Sequence, residues 1–309
     1  MSDTAARLTV GVLTYRRPDD LAALLPALVE QAGRCAVPVN VVVVDNDPDA
    51  GASGLVSGYD SDVVRYVHEP TPGIAAARNR MLDEAASADL LLFIDDDERP
   101  VPGWLDLMLA TWQAHRPAAV VGPVISEFSE EPGPWILGGG FFTRRRLPTG
   151  TAVTVAATNN LLLDLREVRR LALRFDTDFG LSGGSDTLFT RALAASGARL
   201  VWCDDAIVYD VVPAARLTRA WVLQRYYRSG NSWSRTSVVL TRSRFDRLLT
   251  RIRLTVSGAV RILGGTVTWL WGAAARSTAK HAGGLRTLNR GMGMVSGAWG
   301  HVYSEYRRA

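Results

Sequence analysis

The chain has 309 residues, of which 47% are hydrophobic and 21% are charged. This composition excludes a disordered, collagen-like or disulfide-stapled protein and indicates one main globular domain with an appendage. The net charge of +4 is unevenly distributed: residues 1–210 carry 18 basic and 29 acidic side chains, whereas residues 211–309 carry 17 basic and 2 acidic ones. The second part, with a net charge of +15, is expected to face an anionic partner.

The N-terminal region and the cysteines indicate the compartment. The short apolar run that begins at Leu8 has neither the pattern of a secretory signal nor the length of a spanning helix. Cys35 and Cys203 lack C-x-x-C spacing and are expected to be buried thiols in a reducing compartment. We therefore expect a cytoplasmic protein.

The first 210 residues alternate short apolar runs with helical patterns, which predicts a mostly parallel sheet flanked by helices. In such α/β sheets ligands bind beyond the carboxyl ends of the strands, and polar residues follow three of the predicted strands. The predicted strands are 8–14, 39–44, 63–68 and 90–94, and the predicted helices are 19–31 and 75–86.

The segment 128–151 is rich in Gly and Pro, which predicts a mobile loop or hairpin over the site. A further apolar run covers 160–163, and Gly183-Gly184-Ser185-Asp186 leads into a helix that continues through Leu193. A short strand is predicted at 206–209, with Asp210 directly after it.

The C-terminal region, 216–309, begins with a basic amphipathic helix whose arginines, Arg244, Arg247 and Arg251, lie opposite its apolar side chains. A following run without charge, 262–275, is too short to span a bilayer, which takes roughly 20 residues. The apolar positions are Phe245, Leu248, Leu249, Ile252, Val256, Ala259, Val260 and Leu263.

A second apolar stripe at helical spacing closes the chain. Aromatic residues with flanking arginines suit a lipid headgroup interface, so the region is expected to lie on a membrane. The alternative is that both helices pack on the catalytic domain or on a second subunit. The second stripe comprises Met292, Val295, Trp299, Val302, Tyr303 and Tyr306.

Three consecutive carboxylates, Asp95, Asp96 and Asp97, follow the apolar strand 90–94. Like charges this close repel one another unless a cation holds them. Mg²⁺ or Mn²⁺ prefers carboxylate oxygens and leaves positions open for phosphate oxygens, as a nucleotide diphosphate requires. A solvated turn or a helix cap is the alternative interpretation.

Five segments, taken in order, resemble family 2 glycosyltransferases of the GT-A fold. The resemblance covers about residues 8–235 and implies inverting transfer of a sugar from a nucleotide diphosphate donor. The matching segments are Leu13-Thr14-Tyr15-Arg16-Arg17, Val42-Val43-Val44-Asp45-Asn46, the G-x-x-x-A-R-N-like segment from Pro72 to Asn79, Phe93-Ile94-Asp95-Asp96-Asp97 and Gly183-Gly184-Ser185-Asp186.

The resemblance implies a role for each matching donor-site residue. Thr14, Arg16 and Asp45 would line the nucleoside pocket, with Asp45 accepting hydrogen bonds from the base or ribose. Arg78 would contact the base or the diphosphate. Asp95 would lie near the ribose, although the triplet allows two registers that exchange the roles of Asp95 and Asp96.

The resemblance likewise implies Asp97 as the metal ligand and Asp186 as the general base. A carboxylate in that role takes the acceptor hydroxyl proton as the oxygen attacks the anomeric carbon. Since Ser185 and Asp186 stand at a predicted helix start, helix capping is the alternative.

Two positions depart from the family pattern. Many relatives place Glu where this chain has Ser185, and a metal-binding His where it has Asp210. Asp210 could bind the cation or pair with Arg216 or Arg219.

The segment from Gln224 to Ser229 is similar to the Q-x-x-R-W signature of processive relatives without matching it, which favours addition of one sugar per encounter. Arg225 and Arg228 lie on one helical face and could hold the diphosphate. A solvated basic face is the alternative.

Together these features predict a catalytic domain over 1–215 and a basic, membrane-associated helical region over 216–309. The expected donor is a nucleotide diphosphate sugar, with UDP as the default by resemblance, and the expected acceptor is a glycan or a lipid-linked molecule. We expect peripheral association with the inner membrane surface and no nucleic-acid partner, and homo-oligomerisation stays open. The alternatives are a nucleotidyltransferase acting on a sugar phosphate, or a basic nucleic-acid- or membrane-binding protein without catalysis.

Overall fold

The computed structural model describes residues 6–60 and 62–303. The backbone forms two compact units. The first contains the chain up to Ile125, Arg144–Leu181 and Phe189–Asp210, and the second contains Ser126–Thr143, Ser182–Leu188 and the chain from Val211 onward. The boundary at 215/216 expected from the sequence stays a prediction.

The strands alternate with helices along the first part of the chain, as the sequence pattern predicts. The strands are β1 (Leu8–Thr14), β2 (Val39–Asp45), β3 (Val64–His68), β4 (Leu90–Asp95), β5 (Glu98–Pro100), β6 (Ala119–Val121), β7 (Val124–Phe128), β8 (Ala152–Val153), β9 (Asn160–Asp164), β10 (Leu200–Trp202) and β11 (Val208–Val212). The α-helices are α1 (Pro18–Arg34), α2 (Ser53–Val56), α3 (Ile74–Glu84), α4 (Trp104–His115), α5 (Pro134–Gly138), α6 (Leu165–Arg170), α7 (Ser185–Ala195), α8 (Arg219–Val239), α9 (Arg244–Ala274) and α10 (Thr278–Ala298).

An eight-stranded sheet has the order β3-β2-β1-β4-β9-β6-β10-β8. The strands β3, β2, β1 and β4 are mutually parallel, and β10 is parallel to β6. Strand β9 runs antiparallel to both β4 and β6, and β8 runs antiparallel to β10. The predicted α/β architecture, with a mostly parallel sheet flanked by helices, is therefore confirmed. A three-stranded sheet has the order β5-β11-β7.

Both faces of the large sheet are buried, which is why apolar residues predominate in β1 and β4. On one face Met81 of α3 and Phe189 of α7 pack over the strands. On the other, Leu24 of α1 and Trp104 of α4 do so. A Cβ atom at Gly11 would lie 2.8 Å from Met81 Sδ, so glycine in β1 lets α3 approach closely.

In the second unit α10 packs between α8 and α9 through glycines. A Cβ atom at Gly293 of α10 would lie 1.9 Å from the carbonyl oxygen of Tyr227 in α8. A Cβ atom at Gly265 of α9 would lie 2.6 Å from the backbone nitrogen of Leu288 in α10. The glycines therefore bring the helix backbones close together. Among the described residues, no helix combines the length with the apolar character that crossing a bilayer requires.

The structure corrects several predicted details in the first part of the chain. Cys203 is buried as expected, but Cys35 is only half-buried. Asp210 lies within β11 rather than after it. The segment 128–151, predicted as a loop or hairpin, contains α5, and its Trp135 and Phe141 are buried in a hydrophobic cluster.

The last helix also differs from its prediction. α10 ends at Ala298, so Trp299, Val302 and Tyr303 of the second apolar stripe lie beyond the helix. Tyr306 lies outside the described residues.

Candidate active site

Polar residues end three neighbouring strands of the parallel sheet: Thr14 in β1, Asp45 in β2 and Asp95 in β4. The pairing aligns Thr14 with Asp45, and Leu13 with Asp95. Because the strands are parallel, these ends meet at one edge of the sheet, where ligands of such sheets bind. The structure thus brings together three of the residues that the sequence singles out.

Arg17 joins two acids of the triplet. Its Nη1 donates to Asp96 Oδ1 at 3.1 Å and to Asp97 Oδ2 at 2.8 Å, while Thr14 Oγ1 donates to Asp96 Oδ2 at 2.8 Å. Asp96 is buried. Since Asp96 is enclosed and Asp97 is ion-paired, the triplet is not a solvated turn. Arg17 belongs to the first matching segment but received no role from the sequence, although its position immediately after Arg16 could have indicated one.

The carboxylates at this edge are crowded. Burial, together with the charge of Asp97, raises the pKa of Asp95 to about 7, against the opposing effect of Arg78. Burial raises the pKa of Asp96 to about 6, although Arg17 opposes the shift. A nearby positive charge would favour the ionised forms of both groups.

Glu98 is a further buried acid that sequence reasoning missed. Its Oε2 accepts the backbone N–H of Asp95 at 3.1 Å, and its Oε1 accepts Asn159 Nδ2 at 2.7 Å. Burial, then the charge of Asp95, raises the pKa of Glu98 well above its usual value. The only sequence signal was its position directly after the triplet.

The chemistry of these side chains fits a hard divalent cation. Within residues 6–60 and 62–303, no group of three or more His, Cys, Asp or Glu side chains is arranged to hold a metal. Mg²⁺, however, is usually held by one or two carboxylates together with substrate phosphates and water. Asp95 and Asp97 supply two mutually repelling carboxylates of this kind. Asp210, the other predicted ligand, instead accepts Arg144 Nη2 at 2.8 Å, a partner that the sequence did not indicate.

Asp45 orders the loop that follows β2. Its Oδ1 accepts the backbone N–H of Asp47 at 2.9 Å, and its Oδ2 accepts the backbone N–H of Ala52 at 2.9 Å and the hydroxyl of Tyr66 at 3.1 Å. With an exposed fraction of 1%, Asp45 is a structural acceptor in this state. Its contact with a nucleoside stays a prediction.

The two arginines assigned to the donor have different surroundings. Arg16 adopts a left-handed backbone with φ of 54° and pairs with Asp47 at 3.0 Å and Asp49 at 3.1 Å. Arg78 is buried in α3, with its guanidinium 5.6 Å from the ring centroid of Phe175. Arg78 therefore contributes a fixed positive charge near Asp95, whereas Arg16 stands at the surface.

Asn46, which belongs to a matching segment but received no role from the sequence, positions the start of α3. Its Nδ2 donates to the carbonyl oxygens of Glu69 and Thr71, both at 2.7 Å, and its Oδ1 accepts the backbone N–H of Gly73 at 3.1 Å. Gly73 has φ of 117°, which favours glycine. These bonds fix the turn that leads into the helix bearing Arg78.

Asp186 lies in the first turn of α7, within the segment assigned to the second unit. Gly183 and Gly184 precede it with φ of 74° and 95°, so the turn depends on glycine. The backbone N–H of Thr187 donates to Asp186 Oδ1 at 2.6 Å. This bond shows a local structural role, and the role of general base stays a prediction.

Arg225 and Arg228 of α8 are half-buried against aromatic rings rather than forming a solvated face. The guanidinium of Arg225 lies 5.5 Å from the ring centroids of both Phe142 and Trp221, and that of Arg228 lies 6.0 Å from Trp221. Cation–π contacts of this kind hold the arginines in place. Their contact with a diphosphate stays a prediction.

Comparison with known proteins now identifies the fold and the chemistry. Residues 9–164 match the model of Glycosyl transferase family 2. The chain is 33% identical over 238 residues to the succinoglycan biosynthesis protein ExoM of Rhizobium meliloti (strain 1021). The aligned region covers 76% of each protein. The chain belongs to glycosyl transferase family 2. It is therefore a glycosyltransferase, and the nucleotidyltransferase and non-catalytic alternatives are set aside.

Solved structures agree on the GT-A fold. TarS 1–349 of S. aureus in complex with UDP-GlcNAc matches with a TM-score of 0.55 and 16% identity over 92% of each chain. GalNAc-T7 with UDP, GalNAc and Mn²⁺ matches with a TM-score of 0.54 and 13% identity over 76% of this chain and 48% of that one. At such identities the likeness concerns the fold.

Proposed function

We propose that this glycosyltransferase moves one sugar, with inversion, from a nucleotide diphosphate sugar to a hydroxyl of a glycan or lipid-linked acceptor. The observation that carries the proposal is the meeting of Thr14, Asp45 and Asp95 at the carboxyl edge of the sheet. UDP is the default nucleotide, supported by the UDP-GlcNAc bound to TarS and the UDP bound to GalNAc-T7. The succinoglycan biosynthesis relative supports a saccharide product.

The donor would bind at this edge through its nucleotide. Arg78, buried in α3, would face the diphosphate or base with a guanidinium whose position is already fixed. Asp95 and Asp97 would hold Mg²⁺ or Mn²⁺, with Asp210 as a third candidate once it is released from Arg144. The bound cation would neutralise charge on the departing diphosphate. Arginines at the edge would add to that stabilisation.

The acceptor hydroxyl would lose its proton to the carboxylate of Asp186. As that proton leaves, the hydroxyl oxygen forms a bond to the anomeric carbon, and the bond from that carbon to the diphosphate oxygen breaks. A single displacement inverts the configuration at the anomeric carbon. A base within hydrogen-bonding reach typically contributes about 10²–10⁴-fold to such a rate.

The test substitutes Asp186→Asn and, as a matched control, Asp106→Asn. Asp106 is an exposed acid in the first turn of α4. The Asp186 variant is expected to bind donor normally and to lose transfer by about 10²–10⁴-fold. Donor binding is followed by thermal shift with UDP-sugars, with and without Mn²⁺, because a bound ligand stabilises the folded state. Full transfer activity in the Asp186 variant would show that Asp186 is not the general base. If no nucleotide sugar raised the unfolding temperature, that would count against the proposed donor class.

A further inference from the structure

Helix α9 exposes a continuous row of large aliphatic side chains. We define this outer stripe as Leu249, Ile252, Val256, Val260, Leu263 and Val267, which follow one another at steps of three and four residues. Their exposed fractions lie between 42% and 69%. At about 100° per residue, these positions share one side of the helix. The helix is 31 residues long, or about 46 Å at 1.5 Å per residue.

The opposite side of α9 forms its packing surface. Leu254, Gly258, Gly265 and Gly272 are buried there. A Cβ atom at Gly272 would lie 2.3 Å from the backbone nitrogen of His281 in α10, which shows how close the two backbones are. Since α9 uses glycines to pack on α10, its large apolar side chains are left on the outside. An exposed apolar row of this length marks an interaction surface.

The charge around the outer stripe identifies the partner. α9 carries five arginines and a single acid, Asp246. Arg244, Arg247 and Arg253 are exposed on this helix. A second copy of the chain would bring like charges together, whereas an anionic lipid surface would offset them. Aliphatic side chains suit the acyl boundary, and arginine stems allow the guanidinium groups to reach lipid headgroups.

We propose that the outer stripe of α9 lies in the plane of an anionic bilayer, with Arg253, which is exposed beside the stripe, contacting lipid phosphates. This proposal goes beyond glycosyl transfer, because it concerns a surface that binds lipid whether or not a donor is present. It also commits to one face: the outer stripe touches lipid, while the glycine face stays against α10.

The test measures flotation of the full chain with vesicles. One set contains phosphatidylcholine alone, and the other contains about 30% phosphatidylglycerol, which provides the negative surface. The wild-type chain is expected to float with the anionic vesicles and to dissociate from them as salt rises from about 0.1 M to about 0.5 M, since screening weakens the arginine contacts.

Val260→Glu combined with Val267→Glu is expected to lower partition into anionic vesicles by about tenfold for each valine. The matched control is Val239→Glu, which makes the same change at an apolar side chain 49% exposed at the end of α8. Because Val260 and Val267 are 63% and 67% exposed, the thermal unfolding midpoint should stay near that of the wild type. Arg253→Gln should weaken binding to anionic vesicles and make the remaining binding less sensitive to salt.

Three outcomes would overturn the proposal. The wild-type chain could fail to float with anionic vesicles, or the double valine variant could float as well as the Val239 control. Alternatively, sedimentation could show that the wild type is a dimer and the double valine variant a monomer, with equal binding of both to vesicles. In that case a second copy covers the stripe. None of these readouts uses transfer activity, so failure here is distinct from failure of the proposed function.

Discussion

Asn160 is a buried polar side chain of the first unit that makes three hydrogen bonds. It lies in β9 opposite Ile94 of β4, one residue from the acidic triplet. Its Nδ2 donates to the carbonyl oxygens of Pro123 at 3.0 Å and Ala206 at 2.7 Å, and its Oδ1 accepts Trp104 Nε1 at 2.9 Å. Since an indole N–H only donates, the orientation of the amide is fixed. One side chain thus joins α4, β9 and two loops.

We consider Asn160→Leu, which keeps the branched shape and the number of side-chain heavy atoms and removes all three hydrogen bonds. Asn160 is 1% exposed, so water cannot replace them without a rearrangement. Each buried group left without its partner costs about 1–3 kcal/mol, so the three together cost roughly 3–9 kcal/mol. A typical folded protein has a free energy of unfolding of about 5–15 kcal/mol, so the variant should be severely destabilised.

The assay is urea or thermal unfolding of the variant beside Asn40→Leu. Asn40 is half-buried and makes one side-chain hydrogen bond, from Thr9 Oγ1 at 3.0 Å, so its loss should cost about 0.5–1.5 kcal/mol. A loss of at least about 3 kcal/mol for Asn160→Leu would lower the midpoint by roughly 6–12 °C in a unit of this size. Equal losses in the two variants would refute the argument that the Asn160 network holds the unit together.

Two more predictions concern charge and helix packing. Arg17→Met should lower the free energy of unfolding by about 1–2 kcal/mol when it is measured with a chelator at pH 8. Two carboxylates lose their ion-pair partner, while the 39% exposure of the Arg17 side chain limits the effect. An unchanged free energy of unfolding would contradict this. Gly293→Ala should destabilise the second unit, since its Cβ atom would meet the backbone of α8 at 1.9 Å. A Cβ atom at Gly283 in the same helix would meet nothing within 4 Å, so Gly283→Ala should stabilise the protein by about 0.5–1 kcal/mol. If the two variants shift the unfolding midpoint in the same direction, the packing argument is refuted.

Much of the first unit could be predicted from the sequence because its signals are local. Strand and helix periods follow from which side chains alternate, so β1, β2, β4, α1 and α3 lie within a few residues of their predicted bounds. The position of Asp95 at a strand end could likewise be predicted. In a parallel sheet, strand ends at the same edge must meet.

The partners of these residues could not be predicted, since they come from distant parts of the chain. Arg17 reaches Asp97 across 80 positions, and Arg144 reaches Asp210 across 66. No periodicity links such pairs, because they form only when the strands and loops have closed. The same holds for Asp45. Its position at a strand end predicted a carboxylate available to a ligand, but its oxygens accept hydrogen bonds from the loop that follows.

The alternation of strands and helices, the acids at a strand end, the family resemblance and the basic amphipathic character of α9 all follow from the order of the amino acids. Folding in three dimensions sets the antiparallel entry of β9 beside β4 and the pairing of Arg17 with Asp96 and Asp97. It also decided which side of α9 is packed. From the sequence, the apolar side chains of α9 suit a membrane surface or, as the alternative, a protein contact. Glycines permit the closest helix approach, so the backbones of α9 and α10 meet along Gly258, Gly265 and Gly272 and leave the aliphatic row exposed.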